Sequence, residues 1–135
     1  MSHSIENRYL GELRTHSTHL KSSDTIITDA PVDNNGKGNA FSPTDLVASA
    51  LCSCMTTVMG ICANKNQFDL PNSTAHVTKV MSSQPRRISK IIIEINFDKN
   101  NLSEKNVEKL IAVAKGCPVA QSLSSDLIQE VRFNF

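Results

Sequence analysis

Cysteine is the residue type with the most chemistry to offer in this sequence. Cys52, Cys54 and Cys62 lie within SPTDLVASALCSCMTTVMGICANK, and Cys117 lies far downstream in KGCPVAQSL. A thiolate attacks peroxides and disulfides and binds soft metals, whereas a buried, protonated thiol behaves as a small hydrophobe. Which thiols are reactive depends on the elements that carry them.

Ser42-Pro43-Thr44-Asp45 is a strong helix start. Serine can cap, proline suits the first helical position, and Asp45 stands where a capping-box acid reaches back. From there Leu46, Ala50, Cys54, Met55, Val58, Ile61 and Cys62 fall on one broad side. Cys52 sits about 200° around the helix from Cys54, so the two do not share a face. Cys62 lies roughly 12 Å further along the axis, beyond direct pairing with Cys54. Spacing alone leaves all three open to a packing role. Cys117 follows Gly116 and precedes Pro118, the cap position of another helix. Backbone N–H groups and the dipole at such a position favour a thiolate and predict a lowered thiol pKa. A cysteine that simply fills a turn fits the same position.

The remaining elements predict an α+β layout in one domain, residues 1–135. RYLGELRTH and TIITDA read as short strands, and VDNNGKGNAFSP as a loop. STAHVTKVMSS follows as a strand. ISKIIIEINF is the clearest strand, with Ile91, Ile93, Ile95 and Phe97 alternating against Ile92, Glu94 and Asn96. In LSEKNVEKLIAVAKG, Val107, Leu110, Ile111 and Ala114 hold helical spacing, with Ser103 as N-cap and Gly116 as the stop. CPVAQSLSSD predicts a short helix and QEVRFNF a closing strand. Runs of strands divided by helices, without regular βαβ alternation, give α+β.

Composition narrows the function classes. Fourteen basic residues against 13 acidic ones leave almost no net charge, and no basic stripe with interleaved aromatics suggests nucleic acid. No signal-peptide core opens the chain and no run approaches about 18 apolar residues, so a soluble, cytoplasmic protein without a membrane partner is expected. Cysteines in that compartment stay reduced unless they serve redox or metal chemistry.

The helix FSPTDLVASALCSCMTTVMGICA followed by GCPVAQSL resembles the OsmC/Ohr family of thiol peroxidases. YLGELRTH and the loop before the helix also follow that family's layout, so the resemblance covers nearly the whole chain. It implies two β-sheets wrapped around central helices in an intertwined homodimer. It implies Cys54 as peroxidatic cysteine, Cys117 as resolving cysteine and Arg14 as the thiolate-stabilising arginine, with Arg86 and Arg87 as substitutes. The family's catalytic glutamate belongs just after the helix-initial proline. This chain has Thr44 there and Asp45 next, so Asp45 is the carboxylate on offer. The implied partners are a small-molecule peroxide and a dithiol reductant, either a lipoylated protein or a small dithiol, with no bound cofactor. Met55, Met59, Phe41 and Leu51 would line an apolar pocket favouring organic hydroperoxides.

Two other readings use the same residues. Thr44 in place of the glutamate would suit a non-catalytic binding protein on the same fold. Cys52-Ser53-Cys54 with His16 and His19 would suit a metal site, but Cys-x-Cys diverges on a helix and no Cys-x-x-Cys pair exists.

Overall fold

A computed structural model describes residues 2–135. The chain forms two compact units, Met1–Leu46 and Val47–Phe135.

The first unit is an antiparallel sheet, ordered β1 (Ile5–Gly11), β2 (Arg14–His19), β3 (Asp24–Asp29). The segment RYLGELRTH, expected as one strand, is two. Gly11, Glu12 and Leu13 all adopt positive φ, at 84°, 54° and 64°, and turn the chain back on itself. Turns of this kind match the twist of the strands they join but strain non-glycine residues, and a single-residue glycine signal is easily read through. A short 3-10 turn, Val32–Asn34, follows β3. Among the described residues of this unit the buried ones are Thr28, Asp29 and Ser42, all polar. Ile5, Tyr9, Leu10, Ile26 and Ile27 are exposed.

The second unit holds a sheet ordered β4 (Ser73–Ser82), β5 (Arg87–Phe97), β6 (Ile128–Asn134). β4 pairs antiparallel with β5 and β6 pairs parallel. A parallel partner requires a crossover, here α2 (Glu104–Lys115) and α3 (Pro118–Ser122). Ser103 caps α2 through the Asn106 N–H and Gly116 ends it, as the sequence predicts. The long helix α1 (Pro43–Lys65) begins in the first unit and runs through the second. Its inward row is Ala48, Leu51, Met55, Met59 and Cys62, packed with Ile91, Ile93 and Ile95 of β5 and Leu110 and Ala114 of α2.

The predicted core row of α1 holds in part: Met55 and Cys62 are buried, whereas Ala50 is exposed and Ile61 is 47% exposed. A helix apolar on most sides gives periodicity too little contrast to select a face. By length and composition α1 also passes as a membrane-crossing helix, with mean hydropathy 1.9 over an 18-residue window, of which 33% is buried. Scattered serines and threonines dilute its hydropathy without cancelling it. The buried row packs against a sheet, as a core helix does.

Candidate functional site

In the second unit the fold brings Cys54 and Cys117 together. Cys54 stands in the fourth turn of α1, half-buried against the core. Cys117 is the N-cap of α3 and is 1% exposed. Its sulfur accepts the Ala120 N–H at 3.4 Å, and its carbonyl accepts the Gln121 N–H. Pro118 at the first helical position and Gly116 at the end of α2 fix the turn that seats it. Cys54 packs against the buried cluster that contains Cys117, close enough for the two thiols to act on each other. All four cysteines are free thiols.

The predicted acidification of Cys117 is reversed. Burial pushes its thiol pKa up, and the interaction with Cys54 adds to that, outweighing the Ala120 and Val119 N–H groups. A five-residue helix presents little dipole against full desolvation of a thiolate. Cys117 therefore holds its proton at neutral pH.

Cys52 is pushed up by burial alone. Cys62 is buried, and the Asn66 amide donates to its carbonyl at 2.8 Å and towards its sulfur at 3.6 Å. Leu51 and Met59 are completely buried in the core, so they pack and do not line a pocket. Phe41 is 57% exposed in the first unit. Met55 does border a cleft of about 400 Å³, with Lys115, Gln129 and Val131. Among the described residues no three His, Cys, Asp or Glu side chains converge as metal ligands.

Arg14 and Asp45 belong to the first unit. Arg14 opens β2 directly opposite Asp29 of β3. Its Nε donates to Asp29 Oδ1 at 2.7 Å and its Nη2 to Oδ2 at 2.8 Å. The Asn39 N–H also donates to Oδ2, at 3.1 Å. The guanidinium holds the Asp29 carboxyl below its ordinary value, and the carboxylate raises Arg14 in turn. Asp45 closes a capping box: it accepts the Ser42 N–H while its own N–H donates to Ser42 Oγ. Arg86 is exposed and Arg87 opens β5.

Asp29 is the residue that sequence reasoning passed over. Its signal was present: folding RTHSTHLKSSDTIITDA about its LKSS turn sets Arg14 against Asp29, and opposite charges facing across a ladder attract.

A family model described as OsmC-like protein matches residues 36–130. No curated protein matches the chain. Among solved structures, a candidate osmotic stress induced and detoxification response protein from Psychrobacter arcticus superposes with a TM-score of 0.93. It shares 46% identity, over 99% of this chain and 97% of that one. The organic hydroperoxide resistance protein OsmC of Legionella pneumophila gives 0.72 at 16% identity, over 98% of each chain. OhrB of Bacillus subtilis, an organic hydroperoxide resistance protein, gives 0.67 at 13% identity, over 99% of this chain and 98% of that one. The latter two are likenesses of fold.

Proposed function

The chain belongs to the OsmC-like family, and from that premise we propose that it is a dithiol-dependent peroxidase that reduces organic hydroperoxides in oxidative stress defence. The observation that carries this reading is the contact between Cys54 and Cys117. A half-buried thiol beside a fully buried one that keeps its proton is an arrangement suited to a nucleophile and its resolving partner.

In the proposed cycle the Cys54 thiolate attacks one peroxide oxygen. The O–O bond breaks, Cys54 becomes a sulfenic acid, and the other oxygen leaves with a proton as an alcohol, or as water from hydrogen peroxide. Cys117 then condenses with the sulfenic acid, forming a disulfide and releasing water. A dithiol, a lipoylated protein or a small molecule, reduces that disulfide by exchange and restores both thiols. Arg14 supplies the permanent positive charge that favours the Cys54 thiolate. Asp45 serves by fixing the first turn of the helix that carries Cys54. No bound cofactor enters the cycle.

We read residues 1–135 as one functional domain of a soluble, cytoplasmic homodimer. Support for the dimer comes from exposed apolar surface. Among the described residues of the first unit only polar ones are buried, and the apolar window of α1 is one-third buried in the single chain. Surface of that kind marks an interaction site.

The test is consumption of an organic hydroperoxide and of hydrogen peroxide with dihydrolipoamide as reductant, in wild type, Cys54→Ser and Cys117→Ser. Turnover lost in both variants is the expected result. Undiminished turnover in Cys54→Ser overturns the assignment. An inert wild type, with Cys54 unreactive to a sulfenic-acid probe after peroxide, would favour a non-catalytic binding protein.

A further inference from the structure

We propose that Asp29 is a positioning residue for Arg14, holding the guanidinium by one edge so that its other edge is presented to a second anion. The inference rests on the reading of Arg14 as the partner of the Cys54 thiolate, and it adds the residue that aims it.

Asp29 is unusual among the acids of this chain. It is 1% exposed, in a unit whose apolar side chains are largely at the surface. A carboxylate buried to that degree must be paired and hydrogen-bonded. Asp29 satisfies the condition with two Arg14 donors and the Asn39 N–H, while its own backbone N–H donates to the Phe41 carbonyl. Its position is therefore fixed by three segments: β3, the Asn39 loop and the residue preceding the cap of α1.

Arg14 is held from one side only. A guanidinium has five N–H donors in a rigid plane. Asp29 takes the Nε proton and one Nη2 proton, and among the described residues no other side-chain hydrogen bond to the guanidinium forms. The side chain remains 35% exposed. The Nη1 edge is thus available to an anion, in an orientation set by the fork on the opposite edge.

The backbone leading into Arg14 is also over-determined. Glu12 and Leu13 both carry positive φ immediately before it. Neither is a glycine, and such conformations persist only where surrounding contacts enforce them. Those contacts are present. The Leu13 carbonyl accepts the N–H of Ala30, next to Asp29, at 3.1 Å, and Glu12 pairs with Lys37 at 2.7 Å. Glu12 and Lys37 are the other charges acting on the pair. The segment that carries Asp29 thus also pins the turn that delivers Arg14.

A pair that serves only stability would leave the thiol chemistry untouched, so the test reads the thiol. In the full-length protein, the pH dependence of Cys54 alkylation by iodoacetamide is followed at the Cys54 peptide, beside kcat/KM for an organic hydroperoxide. Wild type is compared with Asp29→Asn, Arg14→Met and the double variant. Asp29→Asn should shift the alkylation profile alkaline by about one pH unit, lowering kcat/KM near neutrality about tenfold. The double variant should be no worse than Arg14→Met alone. An unshifted or acid-shifted profile in Asp29→Asn, with a shifted one in Arg14→Met, overturns this inference and leaves the role of Arg14 standing. An unshifted profile in Arg14→Met removes both. Should Asp29→Asn fail to fold, Arg14→Lys decides, because it keeps the charge but cannot take the fork. A wild-type profile there overturns the proposal.

Discussion

Ser42 and Asp45 hold each other at the head of α1: the Ser42 N–H donates to Asp45 Oδ2 at 3.0 Å and the Asp45 N–H to Ser42 Oγ at 3.1 Å. This reciprocal cap satisfies backbone donors that the first turn would otherwise leave open. Because Ser42 is 2% exposed, water cannot readily replace the missing partner. Ser42→Ala should therefore cost about 1–2 kcal/mol in denaturant unfolding. An unchanged midpoint would mean that the helix start is held by its packing alone.

Removing Cys117 should separate the two halves of the proposed cycle. In Cys117→Ser the first oxidation of Cys54 proceeds, but no intramolecular disulfide can form. Excess peroxide should then carry Cys54 past the sulfenic acid to the sulfinic acid, seen as a gain of two oxygens in the intact mass. Wild type should stop at a loss of two hydrogens.

The raised pKa of Cys117 makes a prediction about alkaline stability. Its folded value lies above the ordinary thiol value of 9.0. The protonated thiol is the form favoured on folding, so its contribution is complete below the unfolded value and disappears as pH rises through the folded one. Wild type should lose thermal stability from about pH 9 upward. Cys117→Ala should flatten that loss without abolishing it, because burial raises Cys52 as well. Parallel melting curves for the two proteins would contradict the assignment of burial as cause.

Gly36 has no room for a side chain. A Cβ there would lie 1.7 Å from the Ala30 carbonyl oxygen, and that oxygen already accepts the Gly38 N–H. Gly36→Ala should destabilise the protein by roughly 2–4 kcal/mol, as strain at a close backbone approach does. Ala30 adjoins Asp29, so the same substitution should also reduce Cys54 reactivity if the Arg14 pair positions the thiolate.

Elements with strong local signals were legible from the sequence. The Ile91, Ile93, Ile95 alternation marked β5, and Ser103 with Gly116 bounded α2. The split of RYLGELRTH into two strands was not, because Glu12 and Leu13 adopt backbone conformations that their residue types disfavour. The inward row of α1 was hidden in part by the apolar character of its other sides. At the site, Cys54 and Cys117 could be named from motifs, but the reversed pKa of Cys117 depends on burial that no local pattern encodes. Asp29 went unnoticed for a related reason: its importance lies in a cross-strand register and a depth, and neither belongs to a short motif.

The first unit, whose buried residues among those described are Thr28, Asp29 and Ser42, also has a consequence for synthesis. These strands leave the ribosome before the rest of the chain, and they bring no apolar interior of their own. Ladder and side-chain hydrogen bonds and ion pairs hold them at that stage, without a buried apolar layer among the described residues, which is too little for a lasting fold. The nascent segment must wait with Ile5, Tyr9, Leu10, Ile26 and Ile27 uncovered until later residues arrive. That interval is when this protein is most exposed to aggregation and most dependent on chaperones.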